Sequence, residues 1–218
     1  MTAESRTFKV TGSPIGGEHP PHDRRWRAQV AAAAAGLGRS RGVRLDFRVE
    51  PHRRVDLDNL VRPALAGLRD AGTFARGYVG LETIVATKSP NDESGLTITL
   101  AGSLELDAIH RPGPPLLDVD FSALPLHVES RRLWQSAVAG AWRHRPAISA
   151  GVFVDVDLST SRSLEGLLKP IIDGLTPCVG RDPRARLEFT PNDHLIQWLR
   201  FRRTSGPTPL RLRLGRIM

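Results

Sequence analysis

The run Arg53-Arg54-Val55-Asp56-Leu57-Asp58-Asn59-Leu60-Val61-Arg62-Pro63 carries the side chains best spaced for chemistry. Two carboxylates stand one residue apart, an asparagine follows, and an amphipathic helical pattern begins. A short side-chain oxygen at Asp58 or Asn59 suits the N-cap of that helix, because it can accept the free backbone N–H groups of the first turn. Asp56 then ends the preceding extended segment beside Asp58. Arg62, four residues after Asp58, shares its helix face. Close carboxylates repel, and a divalent cation with oxygen preference relieves the repulsion. The alternative for the same residues is an Asp N-cap beside a surface Asp, with Arg62 in a solvated ion pair.

The elements around this run are legible from periodicity. Phe8 to Thr11 reads as a short strand and Arg24 to Leu37 as a helix around Trp26 and Val30, stopped by Gly36 and Gly38. Val43, Leu45, Phe47 and Val49 alternate with Arg44, Asp46 and Arg48, the pattern of a half-buried strand. The motif helix follows, from Asn59 to about Asp70, then strands over Leu81 to Thr87 and Leu96 to Leu100. His110-Arg111-Pro112-Gly113-Pro114-Pro115 is a linker, and beyond it the order begins again. Leu117 to Phe121 is a strand, Arg131 to Trp142 a helix around Leu133, Trp134 and Val138, and Gly151 to Leu158 a strand. Leu164 to Leu175 is a helix, and His194 to Arg202 and Leu210 to Leu214 are closing strands, the last with Arg211 and Arg213 facing out. Leu60-Val61-Arg62-Pro63 falls on Leu167-Leu168-Lys169-Pro170, Gly67-Leu68 on Gly174-Leu175, and Asp46 on Asp155. A repeat of this length implies two similar units, residues 1–110 and 111–218.

The stretch from Arg53 through Gly72 resembles the RusA family of Holliday-junction resolvases. It shares the arginine-rich run, the Asp-Leu-Asp-Asn-Leu sequence and a Gly-ended helix, with Arg62 at the family's lysine position. The resemblance implies an α/β fold of two tandem β-α-β-α-β-β units, an intramolecular pseudo-dimer in place of the family's homodimer. Family sites use the Asp-x-Asp pair, a third aspartate from a later Asp-Asp pair, and the lysine. The first half keeps Asp56, Asp58 and Asn59 but has no carboxylate over residues 76–80, where the later pair belongs. The second half has Ser163 and Glu165 for the paired aspartates and Gly166 for the asparagine, yet keeps Lys169, Asp173 and, in Asn192-Asp193, the later aspartate. The expectation is one competent N-terminal site, with Asp56 and Asp58 holding Mg²⁺ or Mn²⁺, beside a degenerate C-terminal one. Arg62, Lys169 and Asp193 complete the candidate catalytic set.

The net charge of +8 and pI near 11.0, with 28 of the 31 basic residues arginine, suit phosphate contacts and a nucleic-acid partner. Candidate DNA contacts are Arg44, Arg48, Arg53, Arg54, Arg181, Arg184, Arg186, Arg200 and Arg202, with Trp198 a candidate for stacking on a base. A GC-rich coding sequence is the other explanation for so much arginine. The lone Cys178 excludes an internal disulfide and a zinc site of several thiolates, and no spacing among His52, His194 and the Glu18-to-Asp23 cluster matches zinc. The N-terminal residues lack an apolar signal core and no apolar run approaches membrane-spanning length, which points to an intracellular protein. Two functions fit: a Mg²⁺-dependent structure-selective endodeoxyribonuclease for branched DNA, or a resolvase-derived DNA-binding or scaffold subunit that no longer cuts, with a further protein partner.

Overall fold

The alternation in Val43, Leu45, Phe47 and Val49 does what it predicts: all four are buried in a strand, β2 (Gly42–Val49), with the arginines between them on the other face. Seven more strands join it in the computed structural model, which describes residues 5–12, 20–75, 77–124, 128–143, 145–183 and 190–218. They are β1 (Arg6–Thr11), β3 (Thr83–Pro90), β4 (Gly95–Ala101), β5 (Leu117–Phe121), β6 (Val152–Leu158), β7 (Ile196–Arg203) and β8 (Leu210–Arg216). All eight form a single mixed sheet in the order β1-β4-β2-β3-β7-β6-β8-β5. The protein is therefore a mixed α/β protein, with six helices among the described residues. None of those helices is long and apolar enough to cross a membrane.

Outward from the middle, the two halves of the sheet have one topology. β2 and β3 are parallel, as are β6 and β7, while β4 pairs antiparallel with β2 and β1, as β8 does with β6 and β5. The halves meet through the antiparallel β3–β7 ladder, whose central pair is Val85 and Arg200. Counting from that pair, Arg44 beside Val85 corresponds to Asp155 beside Arg200, so Asp46 corresponds to Asp157. This corrects the correspondence of Asp46 with Asp155: the register is set by strand pairing, and a two-residue slip keeps the same face, so the sequence pattern cannot detect it.

The helices are α1 (Pro20–Ala34), α2 (Leu57–Asp70), α3 (Ser103–Asp107), α4 (Val128–Trp142), α5 (Leu164–Asp173) and α6 (Thr176–Val179). α2 buries Leu57, Leu60, Val61, Ala64, Leu65 and Leu68, and α5 buries Leu164, Leu167, Leu168, Ile171 and Ile172, each a stripe at helical spacing against the sheet. Each carries a proline at its seventh residue, Pro63 and Pro170, where the missing N–H breaks one helical hydrogen bond. Each also has a glycine where a neighbouring helix comes close. A Cβ on Gly67 would lie 2.7 Å from the Val30 Cβ and 2.8 Å from the Arg27 carbonyl oxygen, and one on Gly174 would enter the Trp134 ring.

Several expectations shift. α1 begins and ends earlier than residues 24–37, and Leu133 is exposed rather than core; α3 occupies a stretch to which the sequence assigned no element. Trp26, Trp134 and Trp142 are buried as expected. Trp198 is also buried, edge-on to Phe153 at 6.3 Å between ring centres, so it offers no face for stacking on a base. The loop over Ser13 to Gly17 and most of the Glu18-to-Asp23 cluster lie outside the described residues or side chains.

Candidate metal centre

The start of α2 falls earlier than the sequence suggests. Asp56, not Asp58 or Asn59, is the N-cap residue, and its side chain makes no capping bond. It accepts a hydrogen bond instead from Asn59 Nδ2 to Oδ2 at 2.9 Å, which fixes the carboxylate's orientation. Asp58 is drawn into the first turn and buried. The asparagine of the motif thus acts on the first aspartate rather than on the helix.

Asp193 completes the cluster. It opens a short 3₁₀ turn, Asp193–Leu195, that leads into β7, and because β7 runs antiparallel to β3 this turn lies at the carboxyl end of β3. One carboxylate oxygen from each of Asp56, Asp58 and Asp193 lies within 4.8 Å of the others. Lys169 of α5 reaches the same place, with Nζ 3.6 Å from Asp58 Oδ2, 3.7 Å from Asp193 Oδ2 and 3.1 Å from Asp173 Oδ1. The expected grouping by halves is therefore wrong. Asp56 and Asp58 meet Asp193 and Lys169 across the middle of the sheet, because the β3–β7 crossing brings the end of one half against the start of a strand in the other.

The electrostatics are those of an underneutralised cluster. Both oxygens of Asp58 and Oδ2 of Asp193 are buried with no hydrogen-bond partner. Unpaired buried carboxylate oxygens are rare and costly. Burial pushes the Asp193 carboxyl up to about 8, helped by the charges of Asp56 and Asp58 and opposed by Lys169. Burial likewise raises Asp58, again with Lys169 opposing. Burial would lower the Lys169 ammonium, but Asp58, Asp173 and Asp193 outweigh it, and its pKa is raised. Asp56, Asp58, Asp173 and Asp193 converge on Lys169, with Lys88 alongside, so carboxyl groups outnumber the ammonium groups that could neutralise them. An all-oxygen donor set with unpaired buried oxygens suits a hard ion such as Mg²⁺ or Mn²⁺. The cluster of Asp56, Asp58 and Asp193 can hold a metal ion.

Sequence reasoning missed Lys88. Near the end of β3, it donates from Nζ to the carbonyl oxygens of Val55 at 2.6 Å and His194 at 2.8 Å, each next to a clustered aspartate. Burial pushes it down to about 8 against the pull of Asp56, Asp193 and Asp58. As one of only three lysines in an arginine-rich chain it was visible, but nothing local to it pointed to the motif.

Arg62 does not join this cluster. Its Nε lies 3.3 Å from Glu165 Oε1, on the other side of the α2–α5 contact. The pair mirrors Lys169 with Asp58, since Arg62 and Lys169 both precede the helix proline and Glu165 and Asp58 are both the second helical residue. Ser163, in the place of Asp56, caps its own helix by accepting from the Gly166 N–H. Tyr78 stands seven residues before Val85, as Asp193 stands seven before Arg200. The counterpart position thus holds one ion pair and no second carboxylate from these four places.

The arginines expected to meet DNA divide in two. Three of the four on strands are held by aspartates on the sheet face. Arg44 binds Asp46 at 2.8 Å, Arg200 grips Asp155 with two bonds at 2.8 and 2.9 Å, Arg202 binds Asp157 at 2.7 Å, and Arg213 bridges Asp155 and Asp157. Arg213 is buried by these contacts, contrary to the outward-facing expectation; Arg211, which does face out, binds Asp118 at 2.8 Å. Arg48 is half-buried on β2 beside Gly95. Arg53 and Arg54 instead line a recess of about 290 Å³ with Lys88, His194 and Gln197, next to the cluster. Arg181 is exposed in a bridge with Pro191, while Arg184 and Arg186 lie outside the described residues. No family model and no curated protein matches the chain.

Proposed function

We propose that the chain is a Mg²⁺-dependent, structure-selective endodeoxyribonuclease for branched DNA, a RusA-like pair of units fused into one chain with a single composite site. The observation that carries this reading is the convergence of Asp56 and Asp58 with Asp193 and Lys169 from the other half, with carboxylate oxygens left unpaired where a cation would sit. The common strand order of the two halves supports a pseudo-dimer, whose approximate two-fold symmetry suits a four-way junction.

A bound Mg²⁺ would supply Lewis acidity towards a phosphate oxygen and acidify a coordinated water. The protein's own groups do the rest. Asn59 orients Asp56 through its amide, and Lys169 presents a permanently charged ammonium to the charge that grows on a phosphate during displacement. Arg53 and Arg54, which line the adjoining recess, would meet flanking phosphates. His194 in the same recess is kept neutral near pH 7, because burial and the neighbouring Arg54 and Lys88 lower its pKa, so it adds no charge to the site. With one site, the product is a branched molecule nicked in one strand.

The test is incision of a labelled four-way junction against a linear duplex of matched length, in Mg²⁺ and in Mn²⁺. Wild type nicks the junction in one strand, Asp56→Asn and Asp193→Asn do not, and Glu165→Gln retains most of the activity. Paired symmetric incisions, or activity that survives Asp56→Asn, refute the composite site. Junction binding without incision in either metal leaves the alternative, a non-cutting DNA-binding subunit.

A further inference from the structure

Lys88 occupies an unusual place. Its ammonium is the shared donor for two carbonyls that come from different halves of the chain, Val55 at 2.6 Å and His194 at 2.8 Å. Val55 is bonded directly to Asp56, and His194 directly to Asp193. Val55 lies just ahead of α2 and His194 in the 3₁₀ turn just ahead of β7, so neither carbonyl is held by the sheet ladder. The side chain itself is anchored on β3, which pairs with both β2 and β7.

We propose that Lys88 is a positioning residue for the metal site: by clamping the Val55 and His194 carbonyls it sets the separation between Asp56 and Asp193. This inference rests on the proposed metal-binding reading of the cluster. A metal needs its ligands within a few tenths of an ångström, and groups that orient ligands from behind typically govern metal affinity by about 10- to 100-fold. Asn59 acts on Asp56 through its side chain. The Lys88 clamp reaches the backbone on both sides, at Val55 and at His194.

The other half contains a control. Arg203 stands three residues after Arg200, as Lys88 stands three after Val85, and it donates to the carbonyls of Arg162 (2.8 Å) and Thr160. Arg162 immediately precedes Ser163, as Val55 precedes Asp56. A basic side chain thus also holds two backbone carbonyls beside the Arg62–Glu165 pair, both within one segment, and its loss removes backbone contacts without touching the cluster.

The experiment measures Mn²⁺ binding by calorimetry on the full chain, with folding checked by circular dichroism, for wild type, Lys88→Met, Lys88→Arg and Arg203→Met. Lys88→Met is expected to weaken Mn²⁺ binding about tenfold or more. Lys88→Arg, which keeps the donors, stays within about threefold, and Arg203→Met matches wild type in metal affinity whatever it does to stability. If Lys88→Met does not fold, Lys88→Gln takes its place with the same expectation, because the shorter amide cannot span both carbonyls. Wild-type affinity in the Lys88→Met or Lys88→Gln protein overturns the inference. So does an equal loss in Arg203→Met, which would reduce Lys88 to a general structural role. A wild type that binds no Mn²⁺ fails differently: it removes the metal site itself, and the role of Lys88 with it.

Discussion

Asp193→Asn should stabilise the metal-free protein while abolishing its response to metal. The Asp193 carboxyl is raised from its ordinary 3.8 to about 8, with burial the main cause. A carboxyl raised on folding keeps its proton in the folded chain and releases it in the unfolded one, so each step up in pH favours unfolding. That penalty is absent below the unfolded value near 4, grows as pH rises, and is complete above about 8. At pH 7 roughly three pH units of it have accrued, at about 1.36 kcal/mol each, for an upper figure of about 4 kcal/mol. Asparagine carries no such penalty. It also loses the Lys169 contact at 3.7 Å, although Lys169 keeps Asp58 and Asp173. Allowing half for that loss leaves a gain of about 2 kcal/mol, or about 6 °C in melting temperature for a chain of this size.

The assay is thermal and urea unfolding of both proteins in EDTA at pH 5, 7 and 8.5, then again in Mn²⁺. In EDTA the variant should melt above wild type at pH 7 and 8.5, and the gap should close at pH 5. Mn²⁺ at about 100 times its dissociation constant should stabilise wild type by about 2.7 kcal/mol and reverse the order, leaving the variant unmoved. A variant that melts below wild type in EDTA at pH 8.5 would refute the reasoning, since the cluster would then be neutralised by something other than a metal.

Two further outcomes follow from the packing and the charge pattern. Gly67→Ala should cost about 1–3 kcal/mol in urea unfolding, because its Cβ meets Val30 and a backbone carbonyl of α1 rather than a flexible side-chain tip; an unchanged midpoint would mean that α1 and α2 can separate freely. Arg54→Ala should weaken junction binding and lower its salt slope by about 1, while Arg202→Ala should leave affinity within about twofold and instead lower stability, since Arg202 is held by Asp157; filter binding across a salt series separates the two.

Much of the architecture is written locally. The alternation in β2, the helical stripe of α2 and its proline-bearing partner in α5 fix element types and the repeated order. The fate of the arginines is not local. Arg200 and Arg202 look like free phosphate binders until strand pairing sets them against Asp155 and Asp157. Trp198 likewise loses its candidate role once Phe153 packs against it. Lys88 gains one only when β3 is seen to end between two aspartate-bearing segments.

The same distinction explains why the motif reads as two broken sites in sequence. Taken half by half, the first lacks the late aspartate and the lysine, and the second lacks the paired aspartates. Taken across the sheet, the four retained groups, Asp56, Asp58, Asp193 and Lys169, all face one cluster. The four replaced ones, Ser163, Glu165, Tyr78 and Arg62, are the counterparts of that cluster, and Arg62 pairs with Glu165 there. Decay that struck each half without regard to the other would scatter losses over both clusters. On the proposed reading, a fused pair with a single working site, losses confined to one are what selection would leave, because each residue would be retained or released according to the site it serves rather than the half it lies in. At the counterpart position Ser163 is an ordinary helix cap, and Arg62 and Glu165 form an ion pair, both of which favour folding without requiring a metal. The cluster of Asp56, Asp58 and Asp193 keeps buried carboxylate oxygens without hydrogen-bond partners, which favour unfolding unless a cation neutralises them. If the proposed metal site were absent from both positions, the same relief would be open to both, yet only the Arg62–Glu165 position has it.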